Sequence, residues 1–157
     1  MYLTKCCAEL QSKNLKIAFI ESASSGHLTA QFSIYKDRGA NILLGGLVSY
    51  DPSIKVKILH IDPLLIEKYS AESIEVTTAM AVQGKVLFEQ ADLIIGCTGL
   101  LKHGGSESIA KPVGTFFICI YAFNQKYHFQ YLINGSPESK LQQLTEFVAK
   151  EILNLIQ

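Results

Sequence analysis

The chain reads as a single α/β domain spanning residues 1–157, a three-layer α/β/α arrangement on a mixed, largely parallel sheet. Three observations predict this. Residues 15–20 and 92–97 are short, nearly continuous apolar runs, the pattern of strands buried on both faces. The first run ends in Glu21-Ser22-Ala23-Ser24-Ser25-Gly26 and passes into a helical pattern, the strand, small-residue loop, helix order of α/β folds. Two β-rich runs near the C-terminus, 113–123 and 126–133, flank Asn124-Gln125 and read as an antiparallel hairpin, which makes the sheet mixed.

In chain order, Leu3, Cys6, Cys7 and Leu10 give residues 2–13 a helical period, with Lys13-Asn14 as its stop. The strand over 15–20 follows, then a helix to about Ser33. Residues 41–49 read as a second strand, in which Gly45-Gly46 marks a bulge or the close approach of another group. Asp51-Pro52 supplies an N-cap and a first-turn proline for a helix running to about His60, and Asp62-Pro63 repeats the signal for a short helix. Ser73 caps a longer helix with Val76, Met80 and Leu87 on its apolar face. After the strand at 92–97, residues 98–112 read as a glycine-bearing loop. Ser136-Pro137 opens the last helix, whose apolar stripe is Leu141, Leu144, Val148, Ile152 and Leu155.

Composition narrows the function. Hydrophobic residues make up 48% and charged residues 18% of the 157, which excludes a disordered chain. Fourteen basic residues balance fourteen acidic ones, and Arg38 is the sole arginine. Nucleic acid is therefore not an expected partner, and a polybasic membrane anchor is not expected either. Cys6, Cys7, Cys97 and Cys119 form no C-x-x-C pair and lie in apolar or helical context, so they read as buried thiols in a reducing compartment. No signal-peptide pattern opens the chain, and its apolar runs fall short of the ~20 residues that span a bilayer. A cytoplasmic protein is expected.

Ligands of open α/β sheets bind beyond the carboxyl ends of the strands. Three loops belong there: residues 21–26, 50–55 and 98–111. Ser22, Ser24 and Ser25 precede a helix, where they serve either as caps and turn formers or as a nucleophile beside oxyanion-binding N–H groups. Tyr50 and Lys55 point to the same crevice, Lys55 as a base if burial depresses its pKa and as an ordinary surface lysine if not. The third loop offers Thr98, Gly99, Lys102, His103, Gly104, Gly105 and Lys111. His27 is a first-turn helix residue five positions after Ser22, His60 a packing residue and His128 a strand residue; with no metal-ligand constellation, no metal is expected.

Together these strings resemble the CinA C-terminal domain family. Residues 21–26 are similar to its E-S-x-T-G-G motif. Gly45-Gly46-Leu47-Val48-Ser49-Tyr50 followed by Lys55 resembles its G-G-x-V-x-Y-x4-K segment, Met80-Ala81 its helical M-A pair, and Thr98-Gly99 with Lys111-Pro112-Val113-Gly114-Thr115 its T-G…K-P-V-G-T segment. The resemblance runs in order over about residues 5–155. It implies metal-independent, cofactor-free hydrolysis of nicotinamide mononucleotide to nicotinate mononucleotide and ammonia. Ser22 would be the nucleophile, with Tyr50 and Lys55 activating it. Ser24, Ser25, Gly26, Gly46, Thr98, Gly99, Gly105 and Lys111 would bind a small-molecule substrate, and the N–H groups of residues 24–26 would hold the oxyanion. The resemblance also implies a homo-oligomer. Three departures stand out. The family's G-G is Ser25-Gly26, its A-G-P is Leu101-Lys102-His103, and its C-terminal G-x-R-x-x-x-R is the arginine-free Gly135-Ser136-Pro137-Glu138-Ser139-Lys140-Leu141. The expectation is retained chemistry with weakened phosphate binding, Lys102, Lys111 and Lys140 being the remaining cations near the crevice. The other readings are the same chemistry on another small amide, and a non-catalytic protein that binds a nucleotide or a partner.

Overall fold

A computed structural model describes residues 1–35 and 39–157. Arg38 lies outside the described residues. The elements, in order, are α1 (Tyr2–Ser12), β1 (Ile17–Glu21), α2 (His27–Ser33), α3 (Gly39–Ile42), β2 (Leu43–Val48), α4 (Pro52–Lys57), α5 (Pro63–Tyr69), α6 (Ile74–Leu87), β3 (Leu93–Gly99), β4 (Thr115–Ala122), β5 (Gln125–Leu132) and α7 (Pro137–Ile156). The sheet order is β2-β1-β3-β4-β5, with β1 parallel to β2 and β3, and β4 antiparallel to β3 and β5. Four strands thus run one way and β4 runs against them.

Two cores sandwich the sheet. On one face Cys6, Cys7 and Leu10 of α1, Leu28 and Phe32 of α2, and Leu144, Val148 and Ile152 of α7 pack against Phe19, Ile95 and Ile118. On the other face Val76, Met80 and Ala81 of α6, with Leu59 and Ile61, pack against Ala18, Ile20 and Ile94. β1 and β3, at the centre, are buried at every position, as their unbroken apolar runs predict. The thiols of all four cysteines are free and buried.

Side-chain caps set the helix starts. Asp51 accepts from Ser53 N at 2.9 Å, Asp62 from Leu64 N at 2.9 Å, Ser73 from Val76 N at 3.2 Å and Ser136 from Ser139 N at 3.1 Å. Several expectations need correction. The strand expected from residue 41 begins at Leu43, because a helical turn, α3, comes first. α4 ends at Lys57, and His60 is exposed with φ 56°, so it is a turn residue while Leu59 and Ile61 carry the packing. Leu87 is 46% exposed. Thr98 and Gly99 belong to β3 and pair with Phe117 and Phe116, so the loop starts at Leu100. The hairpin turns at Phe123-Asn124, both with positive φ, one residue before the expected place.

No helix among the described residues is long and apolar enough to cross a membrane.

Candidate active site

Ser22 follows the last residue of β1 and is held there by its N–H, which donates to Cys97 O of β3 at 3.0 Å. Ser49 N donates to Glu21 O at 2.7 Å, extending the β1–β2 ladder one residue beyond β2. The chain then turns at Asp51-Pro52 into α4, whose capped first turns swing Lys55 back under the strand ends. Lys55 is fully buried. Its Nζ donates to Ser22 Oγ at 3.0 Å, to Ser49 O at 2.5 Å and, at 3.4 Å, to Tyr50 O. Burial pulls the Lys55 ammonium down to about 8, with Glu72 and Asp51 opposing the fall. An amine that donates two protons to the Ser49 and Tyr50 carbonyls has its lone pair left for the Ser22 hydroxyl. Serine and base are thus in direct contact.

Tyr50 differs from the expected relay. Its side chain is 60% exposed at the mouth of the crevice, and only its carbonyl contacts Lys55. His27 opens α2 and makes no hydrogen bond to Ser22; burial lowers its pKa against the pull of Glu21, which favours the neutral ring.

The loop after Ser22 also departs from the expectation. The Ser25 N–H donates to Ser22 O at 2.9 Å, so it is not available to an oxyanion. The N–H groups of Ala23, Ser24 and Gly26 have no acceptor among the described residues. Those of Ala23 and Ser24 follow the serine directly, and of the three residues Ala23 alone borders the open space above Ser22. The start of α2 is already neutralised from within: the buried Glu21 carboxylate accepts from Leu28 N at 3.0 Å, Thr29 N at 2.9 Å and Thr29 Oγ1 at 2.6 Å. Ser24 is buried at 2% exposure, with no hydrogen-bond partner for its hydroxyl among the described residues. Ser25 and Gly26 take the left-handed backbone conformation, φ 51° and 90°, that turns the chain into the helix.

A crevice of ≈ 380 Å³ opens above Ser22, within the usual range of small-molecule sites. Its walls are Tyr50, Asp51 and Pro52 on one side, Ala71 and Glu72 on another, and Gly99 to Gly105 on the third. Ser22, Tyr50, Gly99 and Gly105 therefore share it. Ser24, Ser25, Gly26, Gly46, Thr98 and Lys111, also expected at the substrate, are not among its lining residues. Gly46 sits against α2, where a Cβ would come within 2.3 Å of Thr29 Oγ1. Thr98 is buried and its hydroxyl lies 2.7 Å from that of Thr77. Lys111 donates to Ser70 Oγ at 2.8 Å and to Glu72 O at 2.5 Å, strapping the loop to the segment before α6; burial lowers its pKa, with Glu72 and Glu75 opposing. Lys140 is 7% exposed and donates to Leu101 O at 3.0 Å, so it props the same loop from α7. Of the three expected cations, Lys102 alone lines the crevice.

Glu72 was not expected. It lines the crevice, accepts from Ser106 Oγ at 2.6 Å and acts electrostatically on Lys55. Ser70-Ala71-Glu72-Ser73 has no periodicity and no catalytic spacing, and only the proline-capped helix before it and the capped helix after it hint that the segment turns at the strand ends. The described residues contain no cluster of metal-ligating side chains.

Comparison with known proteins agrees with this architecture. Residues 2–156 match the model of the CinA C-terminal domain family. The chain is 31% identical over 135 residues to Protein MG115 of Mycoplasma genitalium, covering 85% of this chain and 83% of that protein. It is 32% identical over 147 residues to a CinA-like protein of Desulfotalea psychrophila, covering 94% of this chain but 34% of that protein, so the chain spans only about a third of such longer relatives. Among solved structures, a competence or damage-inducible protein from Enterobacter asburiae superposes with TM-score 0.89 at 24% identity over 99% of this chain and 96% of that one. A CinA superfamily protein from Escherichia coli superposes with TM-score 0.88 at 25% identity over 98% and 88%. With the family match running over nearly every residue and the fold shared from end to end, the chain belongs to the CinA C-terminal domain family.

Proposed function

We propose that the protein is an amidohydrolase of the nicotinamide mononucleotide deamidase type, using Ser22 as nucleophile and Lys55 as its base. The observation that carries this is the 3.0 Å contact between Ser22 Oγ and a fully buried Lys55 amine whose pKa is drawn down to about 8. A surface lysine capping a strand end would be solvated and charged. This one is desolvated, held by two carbonyls and aimed at a hydroxyl that lines an open crevice.

Neutral Lys55 takes the Ser22 proton as Oγ attacks the amide carbonyl carbon. The Ala23 and Ser24 N–H groups are the donors nearest in the chain for the resulting oxyanion. Lys55, now an ammonium, returns the proton to the leaving nitrogen as the C–N bond breaks, which releases ammonia and leaves an ester on Ser22. Water then attacks the ester, Lys55 accepts its proton and passes it back to Ser22 Oγ, and the acid departs. Lys55 acts on Ser22 directly. Tyr50, exposed at the mouth with its carbonyl on Lys55, is assigned in this reading to substrate contact in place of proton relay.

Ammonia release from nicotinamide mononucleotide by the purified protein tests the reading. Turnover that disappears with Ser22→Ala, and an acyl adduct on the Ser22 peptide by mass spectrometry after rapid quenching, are the expected results. Turnover that survives Ser22→Ala overturns it.

A further inference from the structure

The contact between Ser22 and Lys55 dictates where a second nucleophile enters. Lys55 Nζ lies 3.0 Å from Ser22 Oγ, and its other contacts are the Ser49 and Tyr50 carbonyls. In the proposed reaction the leaving nitrogen takes its proton from Lys55, so ammonia forms beside that amine. The nucleophile that ends the cycle gives a proton to the same Lys55. It therefore stands where the ammonia stood, and a small amine fits a place that ammonia has just left.

The crevice gives that place access and room. Its rim, Tyr50, Asp51, Lys102, His103 and Gly104, is exposed, while Ser22 at its floor is 8% exposed. At ≈ 380 Å³ it has space for an acyl group on Ser22 and a small acceptor beside it. Glu72 supplies a polar wall. One of its carboxyl oxygens accepts from Ser106 Oγ at 2.6 Å. The other makes no hydrogen bond among the described residues and lies against Gly105, where a Cβ would come within 2.9 Å of it. The bare Gly105 leaves that oxygen room for a donor, and both residues line the crevice. Glu72 also favours the charged form of Lys55, so its field reaches the amine beneath Ser22.

We propose that acyl-Ser22 passes its acyl group to small primary amines as well as to water, the amine entering beside Lys55 with the Glu72 carboxylate facing it. This rests on the amidohydrolase reading and adds a transferase activity to it. The amine nitrogen attacks the ester carbonyl carbon. The N–C bond forms, the C–Oγ bond breaks, and Lys55 takes one proton from the nitrogen and returns it to Ser22 Oγ. The products are an N-substituted amide and the free serine.

The test is turnover of nicotinamide mononucleotide with hydroxylamine present, at a mildly alkaline pH where hydroxylamine is uncharged. Acid and hydroxamate are separated by chromatography and identified by mass. The hydroxamate should rise in proportion to hydroxylamine as the acid falls, with one ammonia released for each acyl group transferred. Both products should vanish with Ser22→Ala. Ethylenediamine, which at that pH carries a positive charge alongside a free amine, reads the place of entry. Glu72→Gln should lower its amide-to-acid ratio about fivefold and leave the hydroxylamine ratio unchanged. Acid and ammonia without hydroxamate overturn the transfer and leave the hydrolysis standing. Hydroxamate that persists in Ser22→Ala overturns it too, since the acyl group then never rests on that serine. An ethylenediamine ratio unmoved by Glu72→Gln, or no ethylenediamine amide at all, overturns the entry beside Glu72. Neither acid nor hydroxamate from the unmutated protein sinks the amidohydrolase reading itself, and the transfer with it.

Discussion

Ser22 and Lys55 make one hydrogen-bonded unit, so their losses should not add. Ser22→Ala and Lys55→Met should each lower kcat by roughly 10³-fold or more, and the double variant should be no slower than the worse single one. Ammonia release and a melting curve on each variant check this; a double variant slower by the product of the two single losses would mean the residues act separately. The pH dependence follows from the same contact. With Lys55 as the proposed base, its neutral form is the active one, and burial draws its pKa down to about 8, so kcat/KM should rise roughly tenfold per pH unit below that value and level off above it. Glu72 favours the charged amine, so Glu72→Gln should move the rising limb to lower pH; a limb unmoved by that change would assign it to another group. Ser22 and Tyr50 could be singled out in the sequence because each lies just past a strand end, where the fold class already puts ligands, and Lys55 because the Asp51-Pro52 cap sets it in the helix that follows. Gly46 within β2, Thr98 near the end of β3 and Lys111 in the loop before β4 face α2, Thr77 and the segment before α6, and a position in a sequence does not say which way a side chain points. Glu72 went unseen because the turn that carries it has no pattern to read.

The β2–α2 contact is the element on which the serine loop depends. Gly46 lets α2 approach until Thr29 lies where a Cβ would be, and Thr29 in turn donates to Glu21, the last residue of β1 before Ser22. Gly46→Ala should therefore displace α2, loosen the Glu21 contacts and destabilise the fold by about 1–3 kcal/mol. Thr29→Ala removes the two Thr29 atoms nearest that Cβ and should recover part of the loss in the double variant, as read from denaturant midpoints. A Gly46→Ala protein as stable as its parent would show that the contact yields freely. Elements with strong local signals, the Asp51-Pro52, Asp62-Pro63, Ser73 and Ser136-Pro137 starts, lie where the residues put them, because a cap acts within a few residues of itself. Ends governed by pairing shifted. Thr98 and Gly99 join β3 because Phe117 and Phe116 of β4 lie opposite them, and the irregularity expected at Gly45-Gly46 falls one residue earlier, at Leu44, which is skipped as the consecutive Ile17 and Ala18 pair with Leu43 and Gly45. Phe123 turns the hairpin with φ 53°, a place where Asn or Gly is the usual signal, so the turn read one residue late.

At the scale of the whole molecule, alkaline stability pits the buried thiols against the buried amine. Burial raises Cys7 and Cys97 to about 12 and Cys119 to about 11 from an ordinary 9.0, and raises Cys6 further still, with Cys7 adding to the effect. The folded state then holds these protons while the unfolded chain releases them above pH 9, so the stability they confer is complete below 9 and is lost as pH rises toward the folded values. Lys55 has the opposite sign. Its folded value of about 8 lies below the ordinary 10.5, so between those values the unfolded chain binds the extra proton and folding gains with rising pH. Lys111, whose pKa burial also lowers, acts with Lys55, and the Tyr131 phenol, raised by burial and by Glu151, acts with the four thiols; each proton of difference is worth about 1.4 kcal/mol per pH unit. Stability should climb modestly from pH 7 to about 8, pass a maximum, and fall steeply above 9. Urea midpoints taken at half-unit steps from pH 7 to 10.5, under a reducing agent, check the shape. In Lys55→Met the climb should shrink, with Lys111 still contributing to it, while the fall remains. In Cys97→Ala/Cys119→Ala the fall should become shallower, by more than half of its slope near pH 10, since two of the four thiol protons are gone while the opposing lysine protons remain. A curve that keeps rising past pH 9 in the parent protein would mean that the thiols reach solvent and ionise without unfolding, against their complete burial in both layers of the core.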